Sequence, residues 1–247
     1  MRSVAVCPKC IEEQAQKGME PRPAPLIGEL DDCGYIKVRC EQGHEGIVIY
    51  NARRYNVLAE SAARAFVDGY TNEVVAIMAA ALERSYEFYI RVSCAAKSMA
   101  PEVIERAWKG VAAQSERQYG AFQFLYAIDH ASAFSLDDSV TKTRNNVIHK
   151  GRIASESEAL SFAESVYAVI RGLERTIEGK FAKHAAGEAA REVAMQQSLV
   201  PDGTPYVTLK KQTVRYDKAK KEVTGVVEKF IDLAGAVVQS RSMGFPT

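Results

Sequence analysis

The chain lacks a long apolar run: no stretch of its 247 residues approaches the roughly 18 that cross a bilayer. The opening MRSVAVCPKC has no apolar segment that could act as a secretory signal. The expectation is a cytoplasmic protein with no membrane partner. Charge of one sign is lacking too, since 32 lysines and arginines face 31 aspartates and glutamates for a net charge of +1. That balance excludes a constitutive nucleic-acid coat, so any contact with RNA must come from a local group of residues. No internal repeat is present. Cysteines are few and odd in number, at five. Two of them form CPKC, which in a reducing compartment points to metal rather than to a disulfide framework. What the sequence does have is 47% hydrophobic residues over a length sufficient for one or two domains with a real core.

Composition divides the chain into three. Residues 1–50 hold four of the five cysteines and the prolines Pro8, Pro21, Pro23 and Pro25. The alternating runs GYIKVRC and GIVIY read as short strands, with EPRPAP as a loop between strand-like stretches. From about Asn56 the pattern becomes helical and rich in alanine, and it persists to residue 183. Residues 184–247 form a weaker, more polar C-terminal extension of uncertain structure with strand and helix character. The fold class is therefore mainly α: a helical bundle preceded by a small β-rich module and followed by that extension.

In the first segment Cys7 and Cys10 flank Pro8 and Lys9, a tight turn that presents two thiolates to one ion. Cys40 and His44 form a second pair, CEQGH, just after a strand-like run. Two such pairs at the ends of short strands make a zinc ribbon. About 50 residues with few large apolar side chains cannot hold a fold by burial, and a tetrahedral zinc site supplies the missing free energy. Four protein ligands close the coordination sphere, so the zinc is structural and no catalytic metal is expected. Cys33, in DDCG, is an alternative ligand to His44. Gly43 favours His44 by allowing the turn back toward Cys40.

The middle segment reads as a bundle. Thr71 can cap a helix whose apolar positions Val74, Ile77, Met78, Ala81, Leu82 and Tyr86 follow a three-and-four spacing, with Glu83, Arg84, Glu87 and Arg91 on the polar face. Pro101 opens a long helix with a break at Gly110 or Gly120. Ser135 and Asp138 suggest a cap for a shorter helix over 136–150, which Gly151 stops. Ser155 and Glu158 make a full capping box for the last helix of the bundle.

TRNNVIHKG, residues 143–151, thus falls in the last turns of the short helix. His149 there feels the negative end of the helix dipole, which favours the imidazolium, while Arg144 and Lys150 oppose it. Asn145 and His149 are four apart and share a face. Arg144 lies about 140 degrees round the helix from His149 and must bend across to join them. Such a group suits cleavage of RNA by attack of its own 2'-hydroxyl, in which one group removes a proton, another returns one and a cation stabilises the added charge. His149 suits either proton transfer, Arg144 the charge, and Asn145 the orientation of the histidine or the phosphate.

RNNVIHKG resembles the signature of HEPN domains: an arginine, a polar residue that is often asparagine, three more residues and a histidine, on the penultimate helix of a small bundle. The resemblance covers residues 56–183, about half the chain. It implies a metal-independent endoribonuclease acting as a homodimer, with Arg144 and His149 of both copies in one composite active site. It also implies a role in toxin, phage-defence or stress systems and a regulatory protein partner that restrains the activity. Other family members only bind nucleotides or proteins. The alternative is therefore a non-catalytic nucleotide- or RNA-binding module whose zinc ribbon binds a partner. Where some HEPN toxins carry a tyrosine two residues after the histidine, this chain has Gly151. Glu83 and Glu87 are candidates to bridge to Arg144.

The remaining candidates read as structural. His130 and His184 have no polar constellation nearby in sequence, and Cys94 lies among apolar residues of a long helix. Tyr86, Phe88, Tyr89, Tyr119, Phe122, Phe124 and Tyr126 sit at helical spacing, as packing residues do, with base stacking as their other use. Beyond residue 203, TPYVTLKKQTVRYD reads as a strand or extended arm and 218–241 as a helix with Val226, Val227, Phe230, Ile231 and Leu233 on its apolar face. Lys210, Lys211, Lys218, Lys220 and Lys221 offer an RNA contact or a solvated cluster.

Overall fold

The computed structural model describes residues 1–210, 214–217 and 222–242. It is mainly helical, with 63% helix in eight helices among the described residues and small sheets beside them. The chain forms two compact units. One comprises residues 1–52, 189–212 and 238–247, the other 53–188 and 213–237. Lys211, Lys218, Lys220 and Lys221 lie outside the described residues, and Lys210 is exposed at the end of a strand.

In the first unit, β1 (Arg2–Ala5) pairs antiparallel with β2 (Leu26–Glu29). Between them runs a short helix, α1 (Pro8–Gln16). A hairpin of β3 (Tyr35–Arg39) and β4 (Glu45–Asn51) follows. β4 also pairs in parallel with β5 (Tyr206–Lys210), from Ile47 against Tyr206 to Asn51 against Lys210. β4 is therefore a central strand, and its five residues from Gly46 to Tyr50 are all buried, as a strand covered on both faces requires. β3 alternates instead, placing Ile36 and Val38 in a small core with Ala5, Val48 and Tyr50. A side chain at Gly28 would meet the Ile36 Cγ2 at 2.1 Å, so only glycine lets β2 approach here.

The second unit opens with α2 (Arg54–Val67) and α3 (Thr71–Ala96). α3 is buried on most of its circumference and packs against α2, α4 (Pro101–Val111), α5 (Ser115–His130) and α6 (Asp138–Ile148). A helix apolar on most sides belongs at the centre of a bundle. α7 (Glu156–Ser198) departs from helical geometry at Phe181 (φ −129°, ψ 19°). β6 (Val214–Asp217) pairs with β7 (Glu222–Val226), and α8 (Phe230–Ser242) ends the described chain. One buried polar network ties α3 to α5. Asp129 accepts hydrogen bonds from Tyr89 Oη (2.9 Å), Ser93 Oγ (2.6 Å) and Lys97, while His130 Nε2 meets the same tyrosine at 3.1 Å.

Several local expectations change. The helix from Pro101 does break, at the first of its two expected places, just after Gly110, giving α4 and α5. Thr71 is the first residue of α3 rather than its cap, and its hydroxyl donates to the Ala154 carbonyl at 2.8 Å. Asp137, not Ser135 or Asp138, caps α6 by accepting the Ser139 N–H at 2.7 Å. α7 runs through Gly187 to Ser198. Residues 222–226, expected in a helix, form a strand. α8 begins only at Phe230, where the Glu164 carboxylate accepts the first two free N–H groups, from Phe230 and Ile231. The SESE box is present in full: Ser155 N–H donates to the Glu158 carboxylate at 2.9 Å and Glu158 N–H to Ser155 Oγ at 3.3 Å.

Candidate functional site

Two side-chain groups carry chemistry, one in each unit. In the first, Cys7 is the N-cap of α1, and Pro8 at the first helical position sets the turn. Cys10 then falls in the first turn of a helix, where the positive end of the dipole favours thiolates, rather than in a strand-end knuckle. Cys40 and His44 occupy the β3–β4 turn, closed by Cys40 N–H to the His44 carbonyl at 3.0 Å, with Gly43 at φ +81°. The left-handed conformation there suits glycine. The ligand atoms of Cys7, Cys10, Cys40 and His44 all lie within 4.8 Å of one another. Cys33 is exposed and is not in this group.

The spacings from Cys10 to Cys40 and to His44 match the edges of a tetrahedral site. Metal–sulfur bonds of about 2.3 Å give S···S edges of about 3.8 Å and S···N edges of about 3.5 Å. Cys10 Sγ stands 3.8 Å from Cys40 Sγ and 3.5 Å from His44 Nδ1. Cys10 and Cys40 differ in how readily they ionise. Burial, then hydrogen bonds with Cys7 and Cys40, push the Cys10 thiol up to about 12. Burial pushes Cys40 up as well, but hydrogen bonds from the His44 backbone, Cys7 and the Gln42 backbone leave it below its usual value. A divalent ion would stabilise all three thiolates together, which is the electrostatic argument for one here.

The second group lies at the end of α6. The helix stops because Gly151 (φ +65°) lets Arg152 N–H close back onto the Asn146 carbonyl at 3.0 Å. His149, just before that stop, is exposed, and its N–H is held by the Asn145 carbonyl at 3.1 Å. Arg144 is half-buried. Its Nη2 donates to Glu83 Oε1 on α3 (3.2 Å) and to Ser115 Oγ at the start of α5 (3.1 Å), while Nη1 stands 3.5 Å from Asn145 Oδ1. Ser115 Oγ also contacts the Glu116 carboxylate at 3.2 Å. Glu116 is held below its usual value by its own backbone N–H at the helix start and by Ser115, with smaller contributions from the charges of Arg144 and His149. One exposed carboxylate thus feels both.

Of the acids expected at Arg144, Glu83 is its partner. Glu87 instead pairs with Arg84 (2.5 Å) and Arg91 (3.0 Å) on the same helix. Lys150 is exposed beside His149. Ser115 and Glu116 were missed in the sequence because the break at Gly110 or Gly120 left open where the next helix begins. The pattern S-E-R-Q, a serine three residues before a glutamine, was the available start signal. Glu13 was missed as well, though it sits one helical turn beyond Cys10. His130 and Cys94 are packed, and Tyr86, Phe88, Tyr89 and Phe122 lie in the core, whereas Phe124 is 77% exposed. Comparison with known proteins gives no family model, no curated protein and no solved structure that matches this chain.

Proposed function

We propose that the chain is a metal-independent endoribonuclease of HEPN type, with Arg144, Asn145 and His149 as its working residues and a structural zinc ion held by Cys7, Cys10, Cys40 and His44. The reading is carried by one observation: a half-buried arginine, anchored through a single terminal nitrogen to Glu83 and Ser115, lies five residues before an exposed histidine at the end of the same helix, and the Glu116 carboxylate feels the charges of both. Fixing Nη2 leaves Nη1, with its long contact to Asn145, to donate to a phosphate oxygen. His149, open to solvent, transfers the proton of the attacking 2'-hydroxyl or of the departing 5'-oxygen. Phosphate-ester cleavage by this route needs both transfers, and each chain brings one such histidine. A homodimer that shares one composite site meets that need. Zinc is the ion favoured by a Cys3His set closed to further ligands.

The RNA substrate, the toxin, defence or stress setting and a regulatory protein belong to the same proposal. Its test is cleavage of a mixed RNA pool in magnesium-free buffer, with product ends mapped. Wild type should leave cyclic phosphate ends, and His149→Ala should lower the rate by about 100-fold or more, the usual contribution of general acid–base catalysis. A folded dimer that binds RNA without cutting it would overturn the nuclease reading in favour of the nucleotide- or RNA-binding module.

A further inference from the structure

The short helix α1 carries more of the metal centre than its two cysteines. Cys7, Cys10 and Glu13 are spaced three apart, so they follow one another along one face. Glu13 Oε1 lies 3.5 Å from His44 Nε2, while His44 Nδ1 lies 3.5 Å from Cys10 Sγ. The two ring nitrogens therefore face opposite partners, a carboxylate on one side and the sulfur cluster on the other. An imidazole can ligate through only one nitrogen, and the other is left with an N–H that needs an acceptor.

We propose that the Glu13 carboxylate is the positioning residue of this centre. It accepts the Nε2–H of His44, fixes that tautomer, and turns Nδ1 toward the ion. The inference rests on the metal-centre reading above and adds to it a residue that binds no metal itself. The contact lies at the solvent edge, with the His44 side chain 26% and the Glu13 side chain 41% exposed, so a substitution at Glu13 removes an orienting acceptor without opening the core. Glu12, its neighbour, is the matched control. It is exposed and pairs with Lys9 at 2.9 Å, away from the cysteines and the histidine.

The test titrates the metal-free full chain with cobalt(II), whose visible spectrum reports tetrahedral thiolate coordination, then displaces it with zinc. Glu13→Ala should keep the tetrahedral spectrum but bind cobalt about 10- to 100-fold more weakly than wild type. Glu13→Gln, whose amide oxygen still accepts the N–H, should fall between them, and Glu12→Ala should match wild type. Nitrogen-15 NMR of the zinc-loaded protein should show His44 ligating through Nδ1 with Nε2 protonated. Equal affinity for Glu13→Ala and wild type, or ligation through Nε2, would overturn the role of Glu13 and leave the metal centre standing. No tetrahedral spectrum in wild type would overturn the metal centre and this inference with it.

Discussion

At the scale of single residues, Arg144 shows what separates a positioned group from a merely present one. An arginine side chain has many rotamers, and holding it in one costs about 2 kcal/mol of conformational entropy. Glu83 and Ser115 supply that restraint from two other helices. Since the Arg144 and Glu83 side chains are 24% and 26% exposed, the ion pair itself contributes under about 1 kcal/mol to stability. Its effect on reaction geometry should be larger, because misplacing a reacting group by about 1 Å can cost about 100-fold. On the proposed nuclease reading, Glu83→Ala is therefore expected to lower RNA cleavage by about 10- to 100-fold while barely moving the urea midpoint, both measured on the same preparation. An unchanged rate would assign Glu83 to a solvated face. The sequence made Arg144, Asn145 and His149 legible because they follow one another in one helix. It hid Ser115 and Glu116, because their place beside Arg144 depends on how three helices meet.

At the scale of elements, local signals were most legible where a side chain bonds its own backbone. The Ser155–Glu158 box could be read directly, since both partners lie within one turn. The helix start at Phe230 could not, since its cap, Glu164, is 66 residues away. The box also carries a measurable pH dependence. Glu158 is held down to about 2, first by the Ser155 N–H, then by Arg152 and the Ser155 hydroxyl, against an ordinary value of 4.5. A carboxyl depressed in the folded state adds stability that is fully present above 4.5 and is lost as pH falls toward about 2. The stability difference between wild type and Glu158→Gln should thus be constant from neutral pH down to about 5 and shrink below it, as read from urea denaturation at each pH. A difference that grows on acidification would contradict the assigned sign.

At the scale of the whole molecule, the chain leaves the first unit after Ala52 and returns to it at Ala189. Nothing in the local sequence announces that return, because a parallel pair such as β4 and β5 joins segments with no turn between them. The expectation of a ribbon confined to residues 1–50 followed from that silence. The first unit has a small core cluster of five buried apolar residues, Ala5, Ile36, Val38, Val48 and Tyr50, with Ile47 and Ile49 of β4 buried besides. A core that small gives little stability by burial alone, so an ion at Cys7, Cys10, Cys40 and His44 would supply much of what holds β3, β4 and β5 together. The second unit buries α3 within a helical bundle and owes nothing to Cys7, Cys10, Cys40 or His44. Removal of bound metal by a chelator should therefore act on one unit. Amide hydrogen exchange is expected to lose protection across residues 35–51 and 206–210, while α3 and α5 keep theirs. Equal loss in both units would mean that the metal supports the whole chain, and no loss in either would mean that the small core suffices without it.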